Sequence, residues 1–147
     1  MNLEIKGPFD LLLGGASKQH IEGTCYGDDI TGLLGSVWPA IGAKGVVHRG
    51  ISIAVYDKGD KVFAGVEMSR ADAERAGLEV KALHFPQHAS FKHVGPYNQL
   101  PGVFAEMTAE ITKRGLVPGF PRLEIYGHWT DDTSKLETTV VFNVATS

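Results

Sequence analysis

The chain has 147 residues, of which 43% are hydrophobic and 21% charged, and its formal net charge is -3. That length amounts to about one domain with enough chain to bury a core, and the charge leaves no basic footprint for nucleic acid. The single cysteine, Cys25, excludes an internal disulfide and fits a reducing compartment.

In chain order, Leu3 to Ile5 reads as a short lead-in strand, interrupted by Pro8. Phe9 to Leu13 is an apolar run, predicted as a strand that bends or bulges at Gly14-Gly15. Ser17 to Gly23 continues it as a weaker, more polar strand. Tyr26-Gly27-Asp28-Asp29 reads as a turn in which Asp28 or Asp29 caps a helix. The helix is predicted from Ile30 to Ala43, because Ile30, Leu33, Leu34, Val37 and Ile41 form one apolar stripe. Pro39 sits inside it and should kink it or end it early, and Gly42 and Gly45 supply the exit. Gly50 to Tyr56 and Lys61 to Met68 are predicted as a hairpin turning at 57–60. Ser69 to Gly77 reads as a connecting helical turn.

Leu78 to His84 and His88 to Val94 are the next two strands, separated by Pro86. Gly95-Pro96 turns the chain into a helix over about Asn98 to Arg114, with Leu100, Val103, Phe104, Met107 and Ile111 on its inner face. Pro118 and Pro121 carry the chain extended to a strand from Leu123 to Tyr126. A longer loop over 127–135 leads to the final strand, Leu136 to Ala145. No stretch approaches the roughly 18 apolar residues of a membrane helix. The start, Met1-Asn2-Leu3-Glu4-Ile5-Lys6, lacks the charged head and apolar run of a signal peptide, so a cytoplasmic location without membrane contact is expected.

The two halves match when one is shifted by 70 positions: Ile30 falls on Leu100, Val37 on Met107, Ile41 on Ile111, Gly45 on Gly115, Ile53 on Leu123 and Tyr56 on Tyr126. The one mismatch on the strand after each helix is Ala54 against Glu124. The expected fold class is therefore α+β, with two strand-helix-strand-strand modules, about 1–68 and about 78–147, in one domain spanning 1–147. The two amphipathic helices are expected on one side of a shared, curved antiparallel sheet. The two modules use all 147 residues, which leaves no room for a helix-turn-helix, so direct DNA binding is not expected.

This pattern resembles the gyrase-inhibitor-like (GyrI-like) family, which includes the effector-binding domains of AraC-type and MerR-type multidrug regulators. The resemblance covers nearly the whole chain. It is carried by His93-Val94-Gly95-Pro96-Tyr97-Asn98-Gln99-Leu100, by Leu123-Glu124-Ile125-Tyr126 and by Thr139-Val140-Val141-Phe142-Asn143-Val144. It implies ligand binding in a crease on the sheet face away from the helices, with a buried glutamate that reads cationic aromatic compounds. Some members hydrolyse reactive cyclopropane-containing natural products. A glutamate common in the family near the start of the last strand stands here as Thr139, with Glu137 two residues earlier.

Strand alternation assigns the faces. With Leu123 and Ile125 meeting the helix, Glu124 and Tyr126 point to the opposite face, and Ala54 and Tyr56 do so in the first half. Glu67, and Glu137 or Thr139, are expected to join that face from the return strands. Trp38 lies beside the stripe of the first helix as a core or cleft-edge aromatic, and Trp129 sits on the long loop, either as a pocket lid or folded back in packing. Tyr97 with Gly95-Pro96 reads as the turn that packs the helix start.

The six histidines show no compact metal-ligand spacing, and neither a phosphate loop nor a dinucleotide fingerprint is present, so no metal or cofactor is expected. Cys25 reads as a small buried or turn residue. The leading expectation is a stand-alone binder of a flat, aromatic, cationic small molecule, held in a cleft between the modules with Glu124 as anchor and Tyr126, Tyr56, Glu67, Trp38 and Trp129 around it. One alternative is a hydrolase in which Glu124 acts as general base on a water and Tyr56 or Tyr126 orients or protonates substrate. Another, by family analogy alone, is a gyrase-interacting protein. Unpaired sheet edges leave a homodimer open.

Overall fold

A computed structural model describes residues 1–146. Its elements are β1 (Glu4–Lys6), β2 (Phe9–Gln19), α1 (Tyr26–Lys44), β3 (Ile53–Asp57), β4 (Lys61–Glu67), α2 (Arg70–Arg75), β5 (Glu79–Phe85), β6 (His88–Val94), α3 (Leu100–Lys113), β7 (Leu116–Tyr126) and β8 (Glu137–Thr146). The α+β class and the repeated strand-helix-strand-strand order hold: β2-α1-β3-β4 is followed by β6-α3-β7-β8. The chain divides into two compact units, one from Asp10 to Leu83 and the other of Met1–Phe9 with the chain from His84 onward.

In the Asp10–Leu83 unit the strand order is β3-β4-β2-β5, and β4 is antiparallel to both of its neighbours. Val37 and Ile41 of α1 pack with Val66, Met68 and Ala73, flanked by Ala16, Trp38 and Val80. β2 runs unbroken through Gly14 and Gly15, where a bend was expected. The glycines pair with Val66 and Gly65 of β4, and the Phe63 ring fills the space that a side chain at Gly15 or Gly65 would take.

The helix α1 starts four residues before its apolar stripe. Cys25 is its N-cap, without a side-chain bond, and Asp28 and Asp29 lie in its first turn, where the positive end of the helix dipole favours acids. Neither aspartate is the cap that the sequence suggested. Pro39 does not end the helix: it and Gly35, whose carbonyl loses its donor, both lie on the exposed side, where that carbonyl is open to solvent.

In the other unit the order is β1-β6-β8-β7, with antiparallel pairing throughout. Leu100, Val103, Met107 and Ile111 of α3 pack against Ala89, Val140, Phe142 and Val144 of the sheet, with Leu3 below. Enclosing each such side chain contributes about 1.5–3 kcal/mol. A 3-10 turn, Tyr97–Gln99, precedes α3. β7 starts earlier than the sequence suggested and takes in Pro118 and Pro121, with its register to β8 broken between Pro118 and Arg122. The glycines that end the two helices, Gly45 (φ 60°) and Gly115 (φ 79°), both hold the left-handed backbone that favours glycine. No helix among the described residues is long and apolar enough to cross a membrane.

Candidate functional site

The carboxylate singled out by the repeat is buried. Glu124 is 4% exposed on β7, while its counterpart Ala54 on β3 is a wholly enclosed apolar residue. The Tyr126 hydroxyl donates to Glu124 Oε1. The Tyr97 ring meets Tyr126 edge-on, with centroids 5.4 Å apart at 66°. Burial raises the Tyr97 phenol above its usual pKa. A carboxylate taken out of water persists only with donors or a cation in reach, and Tyr126 supplies one donor.

The face that carries this group differs from the expectation. Cross-strand partners share a face, and Glu124 pairs with Val140, Arg122 with Phe142 and Tyr126 with Thr138. Val140, Phe142 and Tyr126 belong to the cluster under α3. Glu124 and Tyr126 therefore lie on the helix-bearing face, not the opposite one. In the other unit Tyr56 and Ala54 pair with Val62 and Ala64, on the same face as Ala16 and Val66, which pack with α1. Alternation could not decide this, because the central strands are covered on both faces: Leu123 and Glu124, or Val140 and Val141, are buried as neighbours.

The same register moves two more candidates. Thr139 pairs with Ile125, so it and Glu137 stand on the other face from Glu124, and Glu137 is exposed in an ion pair with Lys92 at 2.9 Å. Thr138 takes the place at Tyr126. Glu67 is exposed and has the parity of Gly65, so it lies on the opposite face of β4 from Tyr56. Trp38 is half-buried in the α1 packing, with Nε1 donating to Ser52 Oγ at 3.0 Å and its ring edge-on to His48. Trp129 is 75% exposed on the β7–β8 loop.

Two features of these faces went unread. Arg122, two residues before Glu124, lies over the rings of Phe120 and Phe142 at 4.2 and 4.5 Å, and its Nε donates to the Gly119 carbonyl. Its parity with Glu124 was the available signal. In the Asp10–Leu83 unit, Tyr56 stands edge-on to Tyr26, with centroids 5.6 Å apart at 86°, which repeats the Tyr97–Tyr126 arrangement. Tyr26 stacks flat on His20 at 3.6 Å and donates to Asp60 Oδ1 at 3.1 Å. Burial first, then the Asp60 carboxylate, raises its phenol pKa.

Behind Tyr26 lies Asp29, buried at the start of α1. His20 Nδ1 is 2.6 Å from one carboxylate oxygen and Lys18 Nζ is 2.9 Å from the other. The hydrogen bond from His20, then that from Lys18, holds the Asp29 carboxyl below the usual carboxylate range. A carboxyl whose pKa falls on folding adds stability that is complete above an unfolded value of about 3.9 and is lost as pH falls through the lowered folded value. In urea titrations from pH 7 to about pH 3, wild type should lose more stability than Asp29→Asn. Parallel pH profiles would show that Asp29 contributes no such linkage.

No model of a known family matches the sequence, and no curated protein does. Solved structures share the fold. The C-terminal domain of EcmrR superposes with a TM-score of 0.70 at 14% identity, over 99% of this chain and 98% of that one. SAV2435 bound to tetraphenylphosphonium gives 0.67 at 15% identity, over 99% and 94%. A structure described as a hydrolase from Listeria innocua gives 0.57 at 15% identity, over 97% and 91%. At such identities the likeness is one of fold.

Proposed function

We propose that this protein is a small-molecule-binding domain of the GyrI-like effector kind and that Glu124 anchors an aromatic cation. The observation that carries this reading is a carboxylate 4% exposed on the helix-bearing face, bonded by a tyrosine hydroxyl whose ring meets a second tyrosine edge-on. Buried negative charge attracts a cation of low hydration, and aromatic faces hold such a cation at separations of up to about 6 Å. SAV2435 binds a ligand of this chemistry, tetraphenylphosphonium. Tyr126 provides an aromatic ring beside Glu124, and Tyr97 meets that ring edge-on. Tyr56 stands at the matching position of the other unit.

The test is calorimetric titration of tetraphenylphosphonium into wild type and Glu124→Gln, with the ligand recovered and weighed by mass spectrometry. Saturable binding to wild type, weakened in Glu124→Gln, with the ligand unchanged, supports the reading. No binding to wild type, or equal binding to both, overturns it. The same proteins incubated with electrophilic natural products test the hydrolase alternative: a product one water heavier, formed by wild type alone, makes Glu124 a general base.

A further inference from the structure

Thr138 is wholly enclosed, and its Oγ1 is a buried side-chain oxygen with no hydrogen-bond partner among the described residues. A threonine hydroxyl offers one donor and two acceptor sites. Leaving them unmade inside a protein is a cost that a valine of the same shape would not carry, and such groups call for a specific reason.

Its surroundings supply one. Thr138 pairs with Tyr126 on one side and with His93 on the other, so the hydroxyl stands on the face that carries Glu124. The polar atoms beside it are turned elsewhere: the Tyr126 hydroxyl donates to Glu124, and His93 Nε2 lies 3.4 Å from the Pro96 carbonyl. Glu124 pairs with Val140, which makes Thr138 its diagonal neighbour, at roughly 7–8 Å between backbones.

We infer that Thr138 Oγ1 is a second polar contact of the ligand site, and that the ligand is an aromatic cation bearing a hydrogen-bonding group about one ring's breadth from its charge. This rests on the reading of Glu124 as the anchor. Tyr126 borders both, bonded to Glu124 through its hydroxyl and paired with Thr138 across the ladder, so a cation held at Glu124 against the Tyr126 ring carries its hydrogen-bonding group toward Thr138. A purely apolar cation uses only half of such a site.

The experiment compares two probes on the full chain by calorimetry: tetraphenylphosphonium, which has no hydrogen-bonding atom, and its (4-hydroxyphenyl)triphenylphosphonium analogue. Wild type should bind the hydroxyl analogue about three- to tenfold more tightly, the worth of one neutral hydrogen bond. Thr138→Val should bind both probes alike, and Thr138→Ser should keep the preference. Thr138→Ala gives the same comparison if the valine variant does not fold. A wild type without preference, or a preference that survives in Thr138→Val, overturns this inference and leaves the Glu124 reading standing. Failure of wild type to bind tetraphenylphosphonium at all overturns both.

Discussion

Gly65→Ala should destabilise this protein by about 2–3 kcal/mol, the upper part of the usual range for overpacking, which corresponds to roughly 5–10 °C in melting temperature for a chain of this size. A Cβ at Gly65 would stand 2.4 Å from the Gly14 carbonyl oxygen and 2.8 Å from the Phe63 ring. Directly across the ladder, a Cβ at Gly15 would stand 2.2 Å from the Ala64 carbonyl oxygen and 2.7 Å from the same ring. Neither clash is with the far end of a flexible chain, so β2 and β4 must part or Phe63, 4% exposed, must leave its place. The matched control is Gly32→Ala on the exposed side of α1, where nothing lies within 4 Å. It should raise stability by about 0.5–1 kcal/mol through helix propensity alone. Equal melting temperatures for Gly65→Ala and wild type would mean that the two strands are not held this closely.

This glycine pair also shows where the sequence was legible and where it was not. The repeat, the two amphipathic helices and the asymmetric pair Ala54/Glu124 could be read because side-chain period and residue type carry them directly. Val37 and Ile41 are buried in α1, and their matches Met107 and Ile111 are buried in α3. Gly14-Gly15 read as a break because glycine alone signals flexibility; only the facing Gly65 and the ring of Phe63, some fifty residues away in sequence, make it the middle of a strand. Asp29 read as a cap because acids favour helix starts, yet its partners Lys18 and His20 come from the preceding strand and its approach to the helix. The face of Glu124 was lost for a different reason. Alternation assigns faces only where one is solvated, and 140–142 is buried throughout. Once the pairing of Tyr126 with Thr138 is known, the face follows, and so does the replacement of Thr139 by Thr138 as the polar neighbour.

Replacing Glu124 has the largest expected effect on ligand binding, and the choice of substitution separates charge from shape. Glu124→Gln keeps the volume and keeps an acceptor for the Tyr126 hydroxyl, while it removes the negative charge. Tetraphenylphosphonium offers no hydrogen-bond donor, so its attraction to Glu124 is that of a charge in a site poor in water, where screening is weak. The affinity should fall by about 1–3 kcal/mol, roughly 5- to 150-fold, with little dependence on salt. The fold should hold or gain, because a buried charge carries a desolvation cost that its neutral isostere does not. Glu124→Ala should lose the same affinity and also stability, since it removes an acceptor of the Tyr126 hydroxyl and opens a gap beside Val140. The two variants therefore predict equal binding defects with unequal melting temperatures. If Glu124→Gln binds as wild type does while Glu124→Ala binds poorly, the side chain supports the shape of the site and the cation is held by the aromatic rings alone.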